Sequence, residues 1–136
     1  MIGLLILAQK DIGCGILQAV EHVLGEYPVG LDAFPVNYDQ NPEQLSTAFE
    51  GTLRKLDSGD GVLILADIYG ATHINVACRL LQHHRIELVA GVNLPMVIRV
   101  LNYRHLPMPD LIDTALKGGA EGILCATDRC FAEARK

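Results

Sequence analysis

Three side chains within one short stretch could do chemistry together. Asp67-Ile68-Tyr69-Gly70-Ala71-Thr72-His73 supplies a carboxylate, a hydroxyl and an imidazole. Asp67 follows the apolar run Val62–Ala66 (VLILA), which reads as a buried strand, so a rigid element holds its carboxylate. Gly70 permits a tight turn, and Thr72 is the expected N-cap of the helix that follows. The first-turn amides and positive dipole end of such a helix attract an anion. His73 falls in that first turn, where the dipole disfavours the imidazolium and leaves a neutral, nucleophilic ring. Together these residues imply a small, phosphate-sized pocket. Each also has a plainer use: a strand-end Asp caps a turn, a Thr caps a helix, and a lone His decorates a surface.

The amino-terminal stretch poses the complementary question. The apolar run Ile2–Ala8 ends abruptly in Gln9-Lys10-Asp11. A carboxamide is polar but neither basic nor nucleophilic, so Gln9 at the mouth of a buried strand needs another purpose. The four cysteines, Cys14, Cys78, Cys125 and Cys130, are scattered without a CxxC pair. They read as partly buried thiols of a cytoplasmic protein, not as a disulfide framework. Cys125, Cys130 and the His83-His84 pair are the one combination considered for a metal, and no metal site or cofactor is expected. His22, His83, His84 and His105 read as surface or helix-end residues.

These groups must be positioned by alternating strands and helices. Ile2–Ala8 is an apolar run suited to a strand covered on both faces. Ile12, Ile16, Leu17, Val20, Val23 and Leu24 recur at helical spacing until Gly25 closes the helix. Gly30–Val36 is a weaker strand whose Pro35 implies an edge. Asn41-Pro42 opens a helix carrying Leu45, Phe49, Leu53 and Leu56 on one face. Ser58–Gly61 turns the chain into Val62–Ala66. Ile74, Ala77, Cys78 and Leu81 mark a third helix, Ile86–Val92 a fourth strand and Pro95–Leu101 a short helix. Pro109–Leu124 is a last helix with Leu111, Ile112, Ala115 and Leu116 inward. This rhythm implies a parallel sheet with helices on both faces; the architecture expected is an α/β three-layer sandwich, its four-stranded parallel sheet taken in the order 2-1-3-4. The ligand crevice then lies between the first and third strands, beyond their carboxyl ends. Ala8–Asp11 and Asp67–His73 are delivered there, with Asn93-Leu94-Pro95-Met96 as an adjoining wall.

The chain has 136 residues, half of them apolar, and a net charge of −5. That length suits one domain, and the acidic balance argues against a nucleic-acid partner. The apolar start is too short for a membrane span and lacks the basic flank of a signal peptide, so no membrane insertion is expected.

The segments LDSGDGVLILADIYGATHIN and AGVNLPM, with LGE after the first helix, carry a resemblance along nearly the whole chain. It resembles the mannose-type IIA proteins of the bacterial phosphoenolpyruvate-dependent sugar phosphotransferase system. Within them it is similar to the subgroup that accompanies HPr-type carriers in proteobacteria with incomplete, regulatory systems. The resemblance implies a single domain over residues 1–136 and a homodimer that exchanges a C-terminal strand, here Gly122–Asp128. It also implies that HPr passes a phosphoryl group to a histidine at the end of the first strand. Asp67 would orient that imidazole, and Gly70, Ala71 and Thr72 would receive the phosphoryl oxygens. A IIB subunit or a regulatory protein would be a further partner.

The histidine position aligns with Gln9. Its neighbours also depart from the pattern, as Ala8 and Lys10, and His73 stands where proline is usual. Gln9 is expected to keep a hydrogen bond to Asp67 and so preserve the pocket. Three functions follow: a regulatory IIA component that docks HPr; an active phosphocarrier with His73 as relocated acceptor; or a receiver-like domain phosphorylated on Asp67, for which only Asp11 offers a second acidic group. No glycine-rich phosphate loop supports a nucleotide site.

Overall fold

The computed structural model describes residues 1–37, 41–80 and 85–127, with the backbone alone at 42, 71–74 and 76. In chain order the elements are β1 (Gly3–Ala8), α1 (Lys10–Leu24), β2 (Leu31–Pro35), α2 (Pro42–Leu56), β3 (Val62–Ala66), α3 (Ala71–Leu80), β4 (Ile86–Ala90), α4 (Leu94–Asn102) and α5 (Met108–Glu121). The strands form one sheet of order β2-β1-β3-β4, parallel throughout. The expected three-layer architecture is the one found.

The apolar runs are continuous because both sheet faces are covered. Side chains alternate along a strand, so β1 divides its residues between two cores. Leu4, Ile6 and Ala8 join Leu63, Leu65 and Val89 beneath α1, α4 and α5, where Val20, Met96, Val97, Val100, Leu111 and Ala115 are buried. Leu5 and Leu7 join Val62, Ile64 and Ala66 on the opposite face, beneath Leu45, Phe49 and Leu53 of α2 and Leu80 of α3.

Pro35 lies in edge strand β2, as expected. The Val36 amide donates to Ala8 O at 2.8 Å, so the even-numbered amides of this strand face β1. Proline therefore lacks its N–H on the open side, where no ladder bond is lost. Gly25 ends α1 at φ 78°, a left-handed conformation that glycine adopts without steric cost. Asn41 caps α2 through Glu43 N at 3.0 Å.

Several side-chain faces differ from the expected ones. In α1 Val20 is fully buried, whereas Ile12, Val23 and Leu24 are exposed, because the sheet takes a narrower stripe than the apolar pattern offers. In α3 the inward stripe runs through Ala77 and Leu80. It leaves Cys78 exposed, while Leu81 lies outside the described residues. Leu116 of α5 is likewise exposed. Cys14 and Cys125 are exposed too, so the three described thiols are not the partly buried groups expected. The anticipated strand Gly122–Asp128 pairs with no strand of the same chain over residues 122–127, and Asp128 lies outside the described residues. Among the described residues no helix is long and apolar enough to cross a membrane.

Candidate active site at the sheet's carboxyl rim

Parallel pairing of β1 with β3 aligns Leu7 with Ala66, so the residues that follow meet at one rim. The Asp67 amide donates to Leu7 O at 3.2 Å, and the Gly91 and Val92 amides both donate to Ala66 O at 2.9 Å. The ends of β1, β3 and β4 are thus tied by main-chain bonds before any side chain takes part.

Gln9 sits in this rim, half-buried, with extended backbone at φ −53° and ψ 144°. Its main-chain amide donates to Asp67 Oδ2 at 3.1 Å. Its side chain turns the other way. Oε1 accepts from Asp11 N at 2.9 Å and Ile12 N at 3.2 Å, and Nε2 donates to Asp11 Oδ2 at 3.3 Å. Gln9 is therefore the N-cap of α1. Its carbonyl oxygen satisfies two first-turn amides that have no partner within the helix. The bond to Asp67 expected from the Gln9 carboxamide comes instead from the main chain. The physical reason is local: the helix start offers the side-chain oxygen two donors, and the carboxylate is already met by the backbone.

Asp67 is half-buried with its Oδ1 shielded from solvent. Ile68 and Tyr69 of the same loop are 56% and 75% exposed, and Ile12 in the first turn of α1 is 46% exposed. Gly70 precedes the helix and α3 starts at Ala71. Thr72 is therefore the second helical residue and not the expected cap, and His73 is the third. Both lie in the first turn, one short loop away from Asp67, while their side chains lie outside the described residues. The backbone groups of Gly70 and Ala71 occupy the turn itself.

Asn93, expected as an adjoining wall, has a structural assignment. Its Oδ1 caps α4 by accepting from Met96 N at 2.9 Å, and its Nδ2 donates to Gly119 O of α5 at 3.0 Å. The sequence carried a signal for this, an Asn shortly before a proline at a helix start, as at Asn41-Pro42. The capping role of Gln9 had a fainter one, a polar residue at the strand exit with Asp11 in the next turn. Among the described residues no three His, Cys, Asp or Glu side chains gather as metal ligands. Cys125 is exposed, and Cys130, His83 and His84 lie outside the described residues.

Comparison with known proteins agrees with this architecture. The family model EIIA-man, PTS system fructose IIA component, matches residues 3–115. The chain is 34% identical over 113 residues to the PTS system mannose-specific EIIAB component of Escherichia coli (strain K12), covering 79% of this chain and 34% of that protein. It thus spans about a third of that relative's length. It is 30% identical over 115 residues to the PTS system fructose-specific EIIA component of Bacillus subtilis (strain 168), covering 83% of this chain and 78% of that one. In fold it is similar to the phosphotransferase system component EIIA from Streptococcus agalactiae, with a TM-score of 0.81 at 22% identity over 93% of this chain and 98% of that one. It is also similar to the mannose/sorbose specific IIA subunit from Enterococcus faecalis, with a TM-score of 0.79 at 17% identity over 91% and 93% of the two chains. With the family model matching most of its length, the chain belongs to the EIIA-man family and is a phosphotransferase-system IIA component of the mannose/fructose type.

Proposed function

We propose that residues 1–136 act as one regulatory IIA domain that docks an HPr-type phosphocarrier at the Gln9–Asp67 rim without accepting a phosphoryl group at position 9. The observation that carries this reading is the Gln9 side chain committed to capping α1. A carboxamide cannot hold a labile phosphoryl group, and this one is directed at the helix and not at Asp67. The pocket frame nevertheless persists through the Gln9 amide and the Asp67 carboxylate. Ile12, Ile68 and Tyr69 give that rim an exposed apolar border of the kind protein partners cover. Gly70, Ala71 and Thr72 would still offer a phosphate-sized cradle. A homodimer fits the exposed Ile123 and Leu124, which an exchanged C-terminal strand would cover. A IIB subunit or regulatory protein would read the docked state, in the cytoplasm.

A second reading is favoured by the helix start at Ala71, which sets His73 in the first turn of α3 at the same rim. In that case a phosphoryl group leaves the carrier's phosphohistidine nitrogen and forms a new P–N bond at His73.

Incubation with phosphoenolpyruvate, enzyme I and HPr separates the readings. We expect wild type to bind HPr yet take no acid-labile label, and Gln9→His to take it. Label on wild type that disappears in His73→Ala would replace the docking reading with the relocated acceptor. Alkali-labile, hydroxylamine-sensitive label lost in Asp67→Asn would instead establish a receiver-like domain. Failure to bind HPr would overturn the docking reading.

A further inference from the structure

A groove of about 1150 Å³ opens at the amino end of the sheet, one strand length, roughly 20 Å, from the Gln9–Asp67 rim. It lies between the start of β1, the first residues of edge strand β4 and the connection from α4 to α5. Ile2, Ile86, Leu106, Met108 and Ile112 supply apolar walls. In size it suits a small organic ligand.

Its floor carries Arg104, only 6% exposed. Nε and Nη2 donate to Ile2 O at 3.2 and 2.7 Å, Nη2 donates to Gly30 O at 3.1 Å, and Nη1 donates to Val29 O. These carbonyls satisfy donors but carry no compensating charge. Among the described residues no carboxylate forms an ion pair with Arg104. Burial lowers its pKa with no opposing charge contribution. A cation so placed is costly unless an anion approaches it.

The remaining charges do not supply that anion. Asp60 is engaged by the Met1 ammonium. Arg85 and Glu87 lie at the exposed lip, one of each sign. The amino end of α5 faces the same space: Pro107 occupies its cap position with no side-chain hydrogen bond, and Met108 and Pro109 line the groove. A helix start adds positive potential there, partly offset by Asp110 in the same first turn.

We propose that this groove binds an amphipathic organic monoanion, with a carboxylate headgroup drawn to Arg104 and the start of α5 and an apolar body against the walls. One uncompensated buried cation accounts for the single negative charge, and the aliphatic lining for the body. The proposal is independent of phosphotransfer at the opposite rim.

Titrating phenylacetate into the ¹⁵N-labelled protein tests it. We expect saturable shifts at residues 85–87 and 104–112. The neutral isostere phenylacetamide should bind about tenfold or more weakly, the difference one charge-assisted hydrogen bond makes. Arg104→Lys should weaken phenylacetate several-fold. Met108→Trp, which narrows the groove from its half-buried lip and leaves the Arg104 hydrogen-bond partners in place, should weaken binding several-fold. Equal binding of acid and amide would overturn the proposal, as would shifts confined to Gln9 and residues 67–70, or no saturable shift at millimolar phenylacetate. Groove resonances that follow protein concentration instead of phenylacetate would assign the groove to a second copy and overturn it equally.

Discussion

The main-chain amide of Gln9 donates to Asp67 Oδ2 at 3.1 Å while the Gln9 side chain caps α1. Two demands that could compete for one carboxamide are met by different atoms of the same residue. The carboxylate is tethered by backbone, which any residue but proline at position 9 would supply, and the helix start is satisfied by the side chain. The residue at position 9 can therefore change without dismantling the rim.

Gln9→Ala should keep the tether and lose the cap. We expect a loss of about 1 kcal/mol, the usual cost of removing an N-cap acceptor. Urea unfolding would read it, and the first-turn amides of Asp11 and Ile12 should exchange faster with deuterium. Unchanged stability would mean that water caps α1 equally well.

Arg104→Met removes the donors that join Ile2, Val29 and Gly30 at the amino end of the sheet. Charged hydrogen bonds of this kind, once broken in the interior, cost about 3 kcal/mol in total. For a domain of this size that lowers the midpoint of thermal unfolding by roughly 10 °C. Calorimetry on both proteins measures the difference.

Glycines within helices and at their ends should respond in opposite directions. A methyl group at Gly122 would come within 2.4 Å of Pro95 Cβ, and one at Gly118 within 2.9 Å of Arg99 Cβ. The rigid proline ring has no rotamer by which to yield, so Gly122→Ala should destabilise by about 1–3 kcal/mol through overpacking. Gly15 in α1 has nothing within 4 Å, and Gly15→Ala should stabilise by about 0.5–1 kcal/mol through helix propensity. Denaturation of the two variants side by side tests the contrast.

Tyr27 confers a dependence on alkaline pH. Its hydroxyl donates to Leu31 O at 2.9 Å, a bond the phenolate cannot make. Burial first, then the negative charges of Asp32 and Glu21, raise its pKa above the ordinary 10.0. The folded state therefore holds this proton more tightly than the unfolded state. Its contribution is fully present below the ordinary value and declines as pH rises toward and through the folded-state value. Denaturant midpoints should fall in that alkaline range for wild type and fall less for Tyr27→Phe.

The strands were legible because parallel strands covered on both faces need uninterrupted apolar runs. Those runs stand out in Ile2–Ala8 and Val62–Ala66. Helix faces were less legible. The pattern in α1 carries more apolar residues than the sheet can cover, so Ile12 and Val23 are surplus in a single chain. Which of them face outward depends on how the helix is rolled against the sheet, a property of the partner layer. At the site, Asp67 was legible from its place at a strand end. Thr72 was misplaced by two positions because helix α3 begins at Ala71, and a two-residue shift of the boundary changes a cap into a first-turn residue.

By itself, the sequence determined the alternating strands and helices of a parallel sheet and the strand ends at which Gln9, Asp67 and the start of α3 lie. Periodicity and short connections leave few other arrangements. It also determined that position 9 offers an amide, which is neither basic nor nucleophilic, since that is a matter of covalent chemistry. Only the tertiary structure decided where the amide goes. A side chain with several rotatable bonds can reach either Asp67 or the α1 amides, and the selection rests on a few hydrogen bonds at the strand–helix junction. The buried guanidinium of Arg104 was equally hidden. Its partners are main-chain carbonyls more than seventy residues away in sequence, and a carbonyl leaves no trace in residue type.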